Sequence, residues 1–190
     1  MTRLPLADRV AAVCRLASLA QRHFEVYRVY SAPESRQRLW DALDDYADFV
    51  NLDEQGHRAL CILYVTALFE TKDNTLHLRD LIGEIAEGGT APDVVKEAEA
   101  ALASATKAVK KVRIIRHNAI AHRSASISYN AAFDLAEITI DDLGALIANA
   151  DAVAKSLAKA CGVEPVIVTF YAAHALDRLF TDVGRQREPS

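Results

Sequence analysis

The residues of this 190-residue chain best suited to chemistry stand in one stretch, Arg116-His117-Asn118-Ala119-Ile120-Ala121-His122. Arginine presents paired N–H donors that match phosphate oxygens, and histidine exchanges protons near neutral pH. The surroundings suit an anion. No acidic residue occurs between Glu99 and Asp134, whereas Lys107, Lys110, Lys111, Arg113, Arg116 and Arg123 all fall inside that window. Cations near a helix carboxyl end gain about 0.3–1 kcal/mol each from the macrodipole, which accounts for one lysine better than for the absence of acids. Phosphate recognition by Arg116 and proton transfer by His122 are the chemistry these types support, with Asn118 and His117 as supporting polar groups.

The elements that must position these groups are helices. Alanine and leucine dominate, while glycine (7) and proline (5) are scarce, which favours an all-α bundle; the spacing predicts about six to seven helices in a single domain over residues 1–190. Val10, Val13, Ala17, Ala20, Phe24 and Tyr27 mark one face of a first helix closed by Pro33. A second helix is expected over Ser35 to Val50, with an acidic outer side from Asp41 to Asp48, and a junction at Asn51-Leu52-Asp53. His57 to Phe69 reads as a central helix, apolar nearly all round. Asp73-Asn74-Thr75 signals the cap of a short helix ending at Gly88-Gly89.

Pro92 opens a long helix that meets no breaker before about Ala121, with Val95, Ala98, Leu102, Ala105, Val109 and Val112 along its apolar face. Val112, Ile115 and Ala119 extend that face to His122, which is expected to point inward. On an ideal helix Arg116 stands about 120° from His122, Asn118 is four residues before His122 and can orient it, and His117 points away. Ser124 to Asn130 reads as a loop, Thr139-Ile140-Asp141-Asp142 as a capping box opening a helix stopped by Gly162 and Pro165, and Val168 to Val183 as the last helix.

Other features narrow the function. A net charge of −4 argues against a protein that coats nucleic acid over its whole surface, though not against a local basic site. Cys14, Cys61 and Cys161 are odd in number and far apart, encoding neither a disulfide framework nor a zinc site. No metal or other cofactor is expected. Without a signal peptide or an apolar run long enough to span a bilayer, the expected location is the cytoplasm, with no membrane partner. His23, His57, His77 and His174 share no spacing signature and read as structural.

The string Arg116-His117-Asn118-Ala119-Ile120-Ala121-His122-Arg123 resembles the motif of the HEPN superfamily, and its Ile-Ala-His ending is similar to AbiU-type abortive phage-infection proteins of that superfamily. The resemblance implies an all-helical homodimer in which the Arg and His of both protomers form a metal-independent endoribonuclease site, acting in phage defence or as a toxin. It assigns catalysis to Arg116 and His122 and RNA as substrate; Lys107, Lys110, Lys111, Arg113 and Arg123 are the expected RNA-binding cations. An antitoxin or regulatory protein is a partner such chains can have. His117 stands where AbiU-type sequences usually carry Asn. Ser124 stands where toxins restrained by nucleotidyltransferases often carry a tyrosine, so tyrosine modification is not expected. The alternative is a non-catalytic helical dimer that binds RNA or a partner protein.

Overall fold

Apolar side chains three and four residues apart build the bundle. In the computed structural model, which describes residues 3–38, 40–71, 75–89, 91–121, 126–164 and 171–185, α1 (Leu6–Ser31) buries Val10, Val13, Ala17, Ala20, Phe24 and Tyr27. It lies against α4 (Ala47–Leu68), whose Cys61, Ile62, Val65 and Leu68 are fully or nearly fully buried. On its other side is α8 (Ile140–Ala160), contributing Leu143, Leu146, Ile147, Ala150 and Leu157. The long α6 (Pro92–Ile115) packs on α8 and on α5 (Leu78–Glu87), adding Val109, Val112 and Ile115 to the same core. A smaller apolar cluster joins Val26 and Tyr30 of α1 to Phe180 of α9 (Ala172–Arg185). No strand occurs among the described residues, and the class is all-α.

Several boundaries differ from the sequence expectation. A turn at Tyr46 interrupts the expected second helix, whose described residues are α2 (Pro33–Arg38), α3 (Trp40–Asp45) and the start of α4; the described residues form nine α-helices where six or seven were expected. The expected junction at Asn51-Leu52-Asp53 lies inside α4. There the Tyr30 hydroxyl donates to Asp53 Oδ2 at 2.7 Å and the Ser31 hydroxyl to Glu54 Oε1 at 2.9 Å. Contacts from α1 thus occupy polar side chains that otherwise compete with the helix backbone. α5 is capped by the His77 ring, whose Nδ1 accepts the Asp80 N–H at 3.1 Å; the expected cap residues Asp73 and Asn74 lie outside the described residues. An additional helix, α7 (Tyr129–Ala136), starts inside the segment expected to be a loop, with Ser128 as its cap.

Other local signals hold. Pro92 occupies the first turn of α6, Gly89 has a positive φ of 66° just after α5, and the Thr139–Asp142 capping box is reciprocal. Pro165 and the start of the expected last helix, residues 168–170, lie outside the described residues.

Candidate active site

The site begins where α4 ends. The last carbonyls of a helix have no partners within it, and its dipole makes this end negative. α6 passes that end carrying two arginines three residues apart. Arg113 donates from Nη2 to the Phe69 carbonyl, and Arg116 Nη1 lies 2.5 Å from Glu70 Oε1. The Arg116 side chain keeps 32% of its exposure against 16% for Glu70. A guanidinium has five N–H donors in a planar fork, so an anchor through Nη1 leaves other donors for a second oxyanion.

At Arg116 the α-helix gives way to a π-helical turn, Arg116–Ala121. Such turns, with hydrogen bonds reaching five residues along, are rare and recur at functional sites. Asn118 Nδ2 donates back to the Ile114 carbonyl at 2.9 Å, across the α-to-π junction. A side chain bonding four residues back competes with the backbone ladder and favours local distortion. Over Arg116–Ala121 the wider turn rotates less per residue than the ideal helix behind the expected angle of about 120°. Asn118 spends one of its two amide N–H donors on the backbone. Ala119 and Ile120 are half-buried against the main core, and His117 is exposed. His122, Arg123 and Ser124 lie outside the described residues.

The cationic window divides over two faces. Lys107, Lys110 and Arg113 are exposed. Lys111 instead donates from Nζ to the Glu137 carbonyl at 2.6 Å and to Asp142 Oδ2 at 3.0 Å, tying α6 to the capping box of α8. Hydrogen bonds from Lys111 and from the Thr139 N–H hold the Asp142 carboxyl below its usual range. Arg113 and Arg116 are thus brought to one end of α4, Asn118 bonds within its own helix, and Lys111 is directed to a structural bond elsewhere.

The HEPN_AbiU2 family, described as AbiU2, matches residues 4–164, a span that includes Arg116 through His122. The chain belongs to the AbiU2 family of HEPN domains. No match was found among curated proteins or among solved structures.

In this HEPN domain α7 is anchored by a residue the sequence did not single out. The Arg58 guanidinium of α4 lies 4.4 Å from the Phe133 ring centre and 5.5 Å from that of Tyr129, and donates to the Tyr129 hydroxyl at 3.0 Å. Its buried Nε has no hydrogen-bond partner among the described residues. Cation–π contact of this kind contributes about 0.5–2 kcal/mol and holds α7 against α4.

A second unanticipated group joins α1 to α4. His23 Nδ1 and His57 Nδ1 are 3.0 Å apart, Tyr64 stacks on the His23 ring, and His57 Nε2 is 3.7 Å from Asp53 Oδ1. Burial pushes the His23 pKa down, and the neighbouring His57 and Arg22 add to this while Asp53 opposes it. No spacing rule relates residues 34 positions apart on two helices, so only packing reveals the pair. His77 serves as a helix cap and His174 is exposed on α9. Burial raises the thiol pKa of Cys14, and that of Cys61 up to about 12, removing both as nucleophiles. Among the described residues no group of three or more His, Cys, Asp or Glu side chains is arranged to hold a metal ion, and no helix is long and apolar enough to cross a membrane.

Proposed function

We propose that this chain is a metal-independent endoribonuclease of the abortive-infection or toxin type, working as a homodimer in the cytoplasm. The carrying observation is Arg116: anchored through one nitrogen to Glu70, a third exposed, and placed at the start of a π-turn that leads to His122. RNA cleavage without a metal needs a base for the 2′-hydroxyl proton, a cation for the phosphorane and an acid for the leaving 5′-oxygen. Arg116 supplies the cation and His122 one proton role. Lys107, Lys110, Arg113 and Arg123 attract the RNA backbone. One such histidine per chain leaves the other proton role open, and a two-fold partner supplies it.

A solvent-facing stripe on α4 supports association with a second copy. Phe49, Leu52 and Leu60 are 57%, 74% and 36% exposed. With the half-buried Leu63 and Ala67 they follow one helical side toward Glu70, the residue that holds Arg116. Pairing of two copies along this stripe gives their Arg116 side chains a route to a common cleft.

The test uses purified chain and mixed RNA in the presence of chelator, comparing wild type, Arg116→Ala and His122→Ala. Cleavage by the wild type alone is expected; equal cleavage in all three refutes the assignment. Salt-sensitive RNA binding without products points instead to a binding protein.

A further inference from the structure

A cavity of about 130 Å³ opens beside Arg113, between the end of α4, α5 and α6. Phe69, Leu102 and Val109 form its apolar wall, and three cations from two helices, Arg79, Lys110 and Arg113, share its lining. Among the described residues no acidic side chain lines it. The carboxylates of α5 lie in a separate ion-pair group: Asp80 and Glu84 pair with Arg3 and Arg9 of the amino-terminal region, so they do not neutralise this rim. In a chain of net charge −4, three cations over an apolar wall match a ligand that is aromatic at one end and anionic at the other.

We propose that this cavity is a base subsite holding one pyrimidine nucleotide of the RNA next to the phosphate bound by Arg116; the inference rests on the nuclease reading above. Size selects the ring. The recess is open on one side, and its roughly 130 Å³ is close to the volume of about 150 Å³ that holds one benzene molecule, so a single six-membered ring fills it while the second ring of a purine stays outside the apolar wall. Location selects the nucleotide. Arg113 lines the cavity and precedes Arg116 by three residues, about 4.5 Å along a helix axis, which places the base beside the scissile phosphate. Phe69 offers an aromatic surface for stacking, and Lys110 with Arg79 meets the nucleotide's phosphate. The Thr106 hydroxyl donates to the Leu102 carbonyl at 3.3 Å, so its oxygen lone pairs can accept from uracil N3–H or the cytosine amino group.

Binding is measured on the full chain by fluorescence anisotropy with non-cleavable 2′-O-methyl oligo-U and oligo-A, with uridine monophosphate as competitor. Oligo-U is expected to bind about tenfold more tightly. Thr106→Phe, an exposed position that fills the mouth, removes the difference; Lys110→Gln weakens oligo-U and serves as a second variant if the first folds poorly. Equal binding of the two oligonucleotides, unchanged in Thr106→Phe, overturns the subsite even if the chain cleaves RNA. Tighter binding of the free nucleotide than of oligo-U overturns RNA as the occupant. Because cleavage is not read here, a chain inactive on RNA that still prefers oligo-U sinks the nuclease reading and leaves the base preference in place.

Discussion

Arg116→Ala is the obvious probe of activity, and the structure says what it does to folding as well. Arg116 Nη1 is 2.5 Å from Glu70 Oε1, with the side chains 32% and 16% exposed. Two unit charges about 4 Å apart at an effective dielectric of 20 attract by about 4 kcal/mol. Solvent at the one-third-exposed guanidinium screens much of this, and fully exposed pairs retain only about 0.2–1 kcal/mol. The pair lies between those limits, so a coupling of about 1–2 kcal/mol is expected, in line with hydrogen bonds to charged groups. Arg116→Ala leaves the mostly buried Glu70 carboxylate without this partner and costs about 2 kcal/mol. In a chain of this length that lowers Tm by about 4–8 °C. Urea denaturation of wild type, Arg116→Ala, Glu70→Gln and the double variant gives the coupling directly. A value under about 0.3 kcal/mol, the level of additive distant sites, refutes the claim that Glu70 holds Arg116. A typical domain stability of about 5–15 kcal/mol tolerates the expected loss, so absent cleavage by Arg116→Ala reports chemistry once folding is verified by circular dichroism.

Three further outcomes test the packing. Gly144→Ala places a Cβ 2.7 Å from Phe24 Cζ and 2.9 Å from Cε1; the overpacking cost of about 1–3 kcal/mol exceeds the helix gain of about 1 kcal/mol. Tm falls, and Phe24→Leu in the same chain restores it; a rise in Tm from Gly144→Ala alone contradicts the close α1–α8 approach. Glu137 holds φ of 50° at the end of α7, so Glu137→Gly relieves left-handed strain, keeps the carbonyl that Lys111 binds and stabilises by about 0.5–1 kcal/mol, read by denaturant midpoint; a destabilised variant removes the strain argument. The pKa of His23 is depressed, so the unfolded chain binds its proton more readily: the stability from the neutral ring is complete above about pH 6.5 and is lost as pH falls through the lower folded value. A thermal series from about pH 8 to 5 should slope downward in wild type and flatten in His23→Gln, while parallel curves exclude the histidine pair as the source.

How much was legible depended on how local each cause was. The buried faces of α1, α6 and α8 followed from apolar spacing, because one helix needs only one neighbour on one side to make that pattern visible. The Thr139–Asp142 box was legible because its partners are three residues apart. The unbroken second helix was wrong, as was the junction at Asn51-Leu52-Asp53, where bonds from Tyr30 and Ser31 override weak local preference. α7 was missed because its docking relies on Arg58, 71 positions from Tyr129.

The octapeptide from Arg116 to Arg123 already carried the HEPN resemblance, and the acid-free window already marked the cationic helix end, since both are properties of residue types in series. Assigning Arg116 to Glu70, Lys111 to Asp142, and Arg79 to the same cavity as Arg113 required the assembled bundle. Charge pairing depends on distance through space, and helices far apart in the chain acquire that distance only when their apolar faces are buried together.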